Sequence, residues 1–246
     1  MLLLDLGNSR LKAAWLPAGA MLHPDAVVAF PHAADDLEPS LGAWLQCAVP
    51  GDAAGWLAAV APDAAIARVQ RVLDAHGVAI RRATTQSQAL GLRVAYADPS
   101  RLGVDRWLAM LGARARGDSP ALIVGVGSAL TVDAVDAHGQ HLGGLIAPPP
   151  EAMRAALIAR APRLAVADGQ VHRFATTTED AVASGCVLSA AALIERSWNE
   201  LATHSGVAPR LLLSGGGAAE LAPWLPPHDA TPHLVIEGLA RWAAQA

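Results

Sequence analysis

The chain opens on an unbroken apolar run, Leu2-Leu3-Leu4, with no polar alternation, which predicts a strand covered on both faces. Asp5 and Leu6 follow, then Gly7 and Asn8, two residue types that tolerate a positive φ, so a tight turn is expected there. Leu11 to Leu16 reads as the return strand of a hairpin. Ala26 to Pro31 predicts a third strand, ended by proline. A short helix is expected from Asp35 to Leu45, and a buried strand from Gly55 to Ala61. Pro62-Asp63 opens a helix to about His76, with Ile66, Val69, Val72 and Leu73 at helical spacing and Gly77 as its stop. Val78 to Ala83 is a further strand. Tyr96-Ala97-Asp98-Pro99 is a turn, and Leu102 to Trp107 leads into a helix through Arg116.

Gly117-Asp118-Ser119-Pro120 puts four punctuating residues in a row, which divides the chain into domains 1–117 and 118–246. The second half begins as the first did. Ala121 to Val124 is an apolar strand, Gly125 to Ala129 a turn of small residues, and Leu130 to Val135 a return strand. A third strand, His141 to Ala147, runs into three prolines. Helices follow at about Glu151 to Arg160 and Thr178 to Leu201, then a strand Leu211 to Leu213, the turn Ser214 to Gly217, and a helix from Leu234 to Ala244. A strand, a small-residue turn and a return strand thus occur twice, at 2–16 and 121–135. The repeat predicts an α/β chain of two duplicated domains with a cleft between them that holds one ligand from both sides.

Composition narrows the classes. Of 246 residues 53% are hydrophobic and 16% charged, enough for a substantial core. The net charge of −4 argues against nucleic acid as partner, and the seven tryptophans do not interleave with basic residues. Mean hydropathy of +0.32 raises the question of a membrane. Uncharged runs such as Ser119–Val132 and Ala181–Ile194 reach 14 residues, short of the roughly 18 to 20 that a spanning helix needs. The amino terminus has no basic lead and is interrupted by Asp5, unlike a signal peptide. Cys47 and Cys186 lie far apart with no metal or redox spacing. Both are expected to be buried free thiols in a reducing compartment, the cytoplasm by default.

A turn that aims consecutive backbone N–H groups outward is a way to hold a phosphate. Around the first turn, Ser9 adds a hydroxyl, Arg10 and Lys12 add positive charge, and Asp5 is placed to hold Mg²⁺ through water. Taken alone, this stretch reads more readily as an ordinary hairpin with a solvated carboxylate. The second copy and the glycine-rich Ser214–Gly217 turn favour nucleotide binding. A phosphate-transferring enzyme then needs a carboxylate near the acceptor hydroxyl. Asp105, at a loop-to-helix junction, is the candidate, with Arg106 beside it to bind a carboxylate or steady developing charge.

Four blocks carry a resemblance: Asp5-x-Gly7-Asn8-Ser9; Tyr96-x-x-Pro99-x-x-Leu102-Gly103-Val104-Asp105-Arg106-Trp107; Gly127-Ser128-Ala129-Leu130-Thr131-Val132-Asp133; and Gly143-Gly144-x-Ile146-x-Pro148. In order and spacing the chain resembles the type III pantothenate kinases. The resemblance implies two ribonuclease-H-like halves of the acetate kinase/Hsp70/actin-like fold. It implies ATP-dependent phosphorylation of pantothenate, the first step towards coenzyme A, with Mg²⁺, a monovalent cation (K⁺ or NH₄⁺) and a homodimer. Under it, Asp5, Leu6, Gly7, Asn8, Ser9, Arg10, Leu11 and Lys12 form the first ATP-phosphate loop, and Ser128 touches ATP from the second. Tyr96, Gly103, Val104, Asp105, Arg106 and Thr178 contact pantothenate, with Asp105 as proton acceptor, and dimer partners share the Thr178 pocket. Ser214–Gly217 then brings backbone close to the adenosine.

One position departs from the family pattern. Its second loop commonly begins Asp-x-Gly-Thr-Ala, and that Asp holds the monovalent cation; here Gly125 stands in its place. Asp133 is a candidate substitute ligand, or else a plain strand-end carboxylate. Gly125 also keeps open a non-catalytic relative, a nucleotide or metabolite sensor with a regulatory partner; Asp5 and Asp105 speak for the enzyme. Gly125-x-Gly127 is no dinucleotide fingerprint, because position 130 is not glycine and a strand follows. His138 and His141 flank a turn without a third ligand and are expected to be solvated. Trp15, Trp44 and Trp56 are expected in the core.

Overall fold

The computed structural model describes residues 1–31, 36–164 and 168–246. The chain forms two compact units, Met1–Gly117 with His233–Ala246, and Asp118–Pro232. In the first, strands β1 (Leu2–Leu6), β2 (Arg10–Trp15), β3 (Val27–Pro31), β4 (Ala54–Ala59) and β5 (Ala79–Arg82) lie in the order β3-β2-β1-β4-β5. β1 to β3 are antiparallel neighbours, whereas β4 and β5 run parallel to β1. Helices α1 (Leu37–Ala48) and α2 (Asp63–Ala75) supply the crossovers that parallel strands require. They bury Leu41, Leu45, Val69 and Leu73 against Leu2, Leu4, Leu6 and Leu11. The expected start of α1 at Asp35 lies outside the described residues.

After β5 come two short strands, β6 (Gln88–Ala89) and β7 (Leu92–Arg93), a hairpin the periodicity did not reveal. Its turn rests on positive φ at Leu90 and Gly91. A 3-10 turn at Pro99–Arg101 then leads into α3 (Val104–Ala115).

The second unit repeats the plan. Strands β8 (Ala121–Val126), β9 (Leu130–Val135), β10 (His141–Ala147), β11 (Arg210–Ser214) and β12 (Asp229–Ala230) lie in the order β10-β9-β8-β11-β12, with the same antiparallel and parallel neighbours. Between β10 and β11 run α4 (Pro150–Arg160) and the 28-residue α5 (Thr178–Ser205). Val187, Ala190 and Ile194 of α5 pack on Leu122, Val124, Leu130 and Val132. Gly206, at φ 69°, closes α5 and donates its N–H to the Ala202 carbonyl. A one-turn helix α6 (Ala218–Leu221) follows β11. Two units built on one strand order form a duplicated ribonuclease-H-like α/β fold.

The last helix, α7 (Leu234–Ala243), corrects the expected boundary. The sequence reading put residues 233–246 with the second half, but α7 packs in the first unit against α3. The two helices meet at Gly112 and Gly238, where a Cβ would overlap the Leu234 and Leu108 carbonyls. Trp242 of α7 fills the space between Trp56 and Trp107, with ring centroids at 4.6 and 5.6 Å. With α1 and α2 on one face of this sheet and α3 and α7 packed in the same unit, all five residues of β1 are buried.

Candidate active site

The first hairpin turn closes with the Gly7 N–H donated to the Arg10 carbonyl at 3.0 Å. Strand alternation then sorts the side chains. Leu6 and Leu11 are fully buried in the core, so contact from these two residues to a ligand comes from backbone alone. Asn8, Ser9 and Arg10 are exposed. Asp5 lies opposite Lys12 in the β1–β2 ladder.

Asp5 is 9% exposed, and its carboxyl is pushed up to about 7. Burial is the main cause, Lys12 opposes it, and Asp105 adds to it by like-charge repulsion. The structure thus brings Asp5, Lys12 and Asp105 into one electrostatic neighbourhood within the first unit. His233, at the head of α7, feels the same lysine: burial and then Lys12 lower its pKa.

Asp105 lies in the first turn of α3, where its charge suits the helix macrodipole. Its Oδ1 accepts the backbone N–H of Arg106 at 2.8 Å. Arg106 is 7% exposed and donates through a guanidinium N–H to the Tyr96 hydroxyl at 3.3 Å. Val104 is buried, so its part is backbone and packing. Upstream, Asp98 caps the 3-10 turn by accepting the Ser100 N–H at 3.0 Å and hydroxyl at 2.7 Å. Thr85 donates its hydroxyl to the Leu102 carbonyl at 2.8 Å and so ties the end of β5 to the entry of α3. Sequence reading missed Thr85, one of two adjacent threonines with no motif around them.

In the second unit the turn after β8 closes as the first does, Gly127 N–H to the Ala129 carbonyl at 3.0 Å. Ser128 is exposed at its tip. The glycine run 215–217 has a reason inside the protein. A Cβ on Gly215, which sits at φ 98°, would overlap the Val126 backbone, and one on Gly217 would press on the Val126 side chain. Gly216 alone faces open space. Thr178 is exposed at the start of α5, where Thr177 caps the helix by accepting the Asp180 N–H at 3.2 Å. Thr178 lines a cavity of about 530 Å³ with Leu157, Thr177, Ala181 and Cys186.

Two side-chain expectations are corrected. His141 is not solvated: it is 1% exposed and its Nε2 lies 3.2 Å from Asp133 Oδ1, an equally buried carboxylate on the adjacent strand. A polar partner offsets the cost of burying either group. His138 is exposed. Cys47 is exposed, because it falls on the outer face of α1, while Cys186 is buried. Trp56 is buried against Trp242, whereas Trp15 and Trp44 pack partly buried against the cluster that holds Leu2, Leu4 and Leu6. Among the described residues no three His, Cys, Asp or Glu side chains gather as for a metal ion, and no helix is long and apolar enough to cross a membrane.

The chain is similar to known proteins along its length. The family model of type III pantothenate kinase matches residues 1–200. A type III pantothenate kinase of Xylella fastidiosa (strain M23) is 44% identical over 244 residues, 99% of this chain and 97% of the relative. One from Xanthomonas campestris pv. campestris (strain B100) has the same identity and coverage. Among solved structures, a Campylobacter jejuni protein described as a Baf family transcriptional activator superposes with a TM-score of 0.62 at 18% identity, covering 100% of this chain and 98% of that one. A 2-dehydro-3-deoxygalactonokinase protein of Sinorhizobium meliloti gives 0.56 at 13%, over 99% and 98% of the two chains. These two likenesses show the fold. With the match over residues 1–200 and the near-complete curated relatives, the chain belongs to the type III pantothenate kinase family.

Proposed function

We propose that the protein transfers the terminal phosphoryl group of ATP to the hydroxyl of pantothenate, the first step of coenzyme A formation, with Asp105 taking the proton. The observation that carries this reading is the grouping of Asp5 on β1, Lys12 opposite it on β2 and Asp105 at the head of α3. Phosphoryl transfer asks a protein mainly for positioning and charge stabilisation. Arg106, held by the Tyr96 hydroxyl, is the group to bind the carboxylate of pantothenate. Backbone N–H groups of residues 7 to 12, with Ser9, Arg10 and Lys12, serve the phosphates. In the second unit Ser128 is the candidate for nucleotide contact and Thr178 for substrate contact.

Mg²⁺ accompanies ATP in this reading and supplies charge neutralisation at the phosphates. Asp5 suits it. A buried carboxyl that lies near half-ionised at neutral pH releases its proton when a cation approaches. One carboxylate with water and phosphate oxygens is the usual protein share of a Mg²⁺ site.

We read the protein as a homodimer, on the exposed apolar surface of the second unit: Leu145 and Ile146 on the edge strand β10, with Leu157 and Phe174. A cytoplasmic place fits the dependence on ATP and the exposed free thiol of Cys47. The rival reading, a regulatory relative without catalysis, rests on Gly125; the acidic pair at positions 5 and 105 is what a mere sensor does not need.

The test is Asp105→Asn. Loss of a general base lowers turnover by about 10²–10⁴-fold. Pantothenate affinity, measured by calorimetry, stays within about threefold, since Arg106 and not Asp105 binds its charge. Near-wild-type turnover removes Asp105 from this role.

A further inference from the structure

The family's monovalent cation was the one expected group whose ligand this sequence replaces, and the second turn can be tested for its fit. Gly125 lies opposite Thr131 in the β8–β9 ladder. A Cβ built on Gly125 comes 2.8 Å from Thr131 Oγ1 and 3.9 Å from Ser214 Oγ. The space into which an aspartate at 125 would project is therefore occupied by the threonine hydroxyl. Thr131 is β-branched and stiff about χ1, so its hydroxyl gives way to a side chain at 125 only by leaving its present rotamer.

The neighbouring oxygens are also committed. The Val124 carbonyl accepts the Ser214 hydroxyl at 3.1 Å. The Val126 carbonyl accepts the Gly217 N–H at 3.1 Å, and the Ala129 carbonyl accepts the Gly127 N–H at 3.0 Å. The nearest acidic side chain along β9, Asp133, is buried beside His141 and directed to its ring nitrogen. A K⁺ or NH₄⁺ ion needs a shell of oxygens turned towards it, by carbonyls or by carboxylate. In this turn the carboxylate is missing and these three carbonyls each already accept a hydrogen bond within the protein.

We infer that this protein works without a monovalent cation, because the Thr131 hydroxyl, with Ser214 beside it, fills the place where the family pattern sets a carboxylate and its ion. The inference rests on the reading of the chain as an ATP-dependent kinase. Its test keeps the two separable. ATP affinity by calorimetry, at fixed Mg²⁺, and phosphate transfer to pantothenate are measured in KCl, NH₄Cl and choline chloride at equal ionic strength.

The wild-type protein keeps both quantities within about twofold across the three salts, below the roughly fivefold and upward range typical of a coupled site. Gly125→Asp combined with Thr131→Ala, which restores the carboxylate and clears room for it, makes ATP bind about tenfold or more tightly in KCl than in choline chloride. Gly125→Ala with Thr131→Ala, cleared but without carboxylate, stays indifferent. Loss of ATP affinity or turnover by about tenfold when choline replaces K⁺ in the wild type overturns the inference. So does a carboxylate variant that folds, by circular dichroism, and remains indifferent. ATP binding that ignores the salt, with no transfer to pantothenate in any of them, sinks the kinase reading and leaves the inference standing for nucleotide binding alone; a chain that binds no ATP sinks both.

Discussion

Asp105 leans back over Gly103: its Oδ1 lies 2.7 Å from the point a Cβ on Gly103 would occupy. The glycine at the head of α3 is what lets the carboxylate rest against the backbone and accept the Arg106 N–H. Its φ of −53° is open to any residue, so the demand is for space and not for backbone freedom. Gly103→Ala pushes the carboxylate away while leaving the helix intact. A misplacement on the scale of 1 Å costs on the order of 10²-fold in rate. Turnover should fall by about that factor with an unchanged thermal melt. A Gly103→Ala enzyme of wild-type rate would show that the position of Asp105 is not set by this contact.

Asp5 makes stability depend on pH with a defined sign. Its folded-state carboxyl is raised from 3.8 to about 7, chiefly by burial. Below pH 3.8 the group is protonated in both states and its contribution is fully present. Between that value and about 7 the unfolded chain holds fewer protons, so stability falls as pH rises, and levels off above about 7. A shift of this size corresponds to about 4 kcal/mol at the plateau. Asp5→Asn, which cannot ionise, should match the wild type near pH 4 and exceed it at pH 8 in urea melts. Parallel pH profiles of the two proteins would refute the raised value. Added MgATP should narrow the gap at pH 8, because it favours the ionised form.

The hairpin turns were legible because their signals are local: an apolar run, then Gly-Asn or Gly-Ser, then a second apolar run. The duplication followed from finding that pattern twice. What sequence could not sort was which residues in a motif act through side chains. Leu6, Leu11 and Val104 belong to the matching blocks yet point into the core, a choice made by strand alternation and helix facing. The return of α7 to the first unit was hidden because its contacts join residues more than a hundred positions apart, as in the paired Arg116 and Glu237 at 2.8 Å. The His141–Asp133 pair was hidden for a related cause. It depends on the register of β9 and β10, which shifts between His141 and Gly143. The run Gly215–Gly217 looked like a ligand-facing turn, whereas two of its three glycines are required by the Val126 backbone and side chain.

Thr85 holds the approach to α3 from outside the recognised motif. Its hydroxyl donates to the Leu102 carbonyl, one residue before Gly103. Thr85→Val keeps the shape and removes the donor, leaving a carbonyl unpaired on that side, at about 1 kcal/mol. The expected signature is a positioning one: turnover falls by about tenfold, pantothenate affinity changes little, and Thr85→Ser restores most of the rate. Loss in the Ser variant with a wild-type rate in the Val variant would mean that packing of the threonine methyl, and not its hydrogen bond, is what matters.

Two glycine-to-alanine changes on helices should move stability in opposite directions. Gly238 of α7 faces α3 so closely that a Cβ would overlap the Leu108 carbonyl, and backbone on both sides cannot swing aside as a side chain can. The helices must part, and overpacking of this kind costs about 1–3 kcal/mol. Gly185 of α5 is exposed, with nothing within 4 Å of its Cβ position. There alanine adds helix propensity worth up to about 1 kcal/mol. For a chain of this length each kcal/mol moves the melting temperature by about 2–4 °C. Gly238→Ala should therefore melt several degrees below the wild type and Gly185→Ala slightly above it. Because α7 also seats Trp242 between Trp56 and Trp107, Gly238→Ala should change tryptophan fluorescence while Gly185→Ala should not. Equal stability of the two variants would mean that the α3–α7 contact is looser than its backbone spacing implies, and that the first unit does not depend on the carboxyl-terminal helix for its second layer.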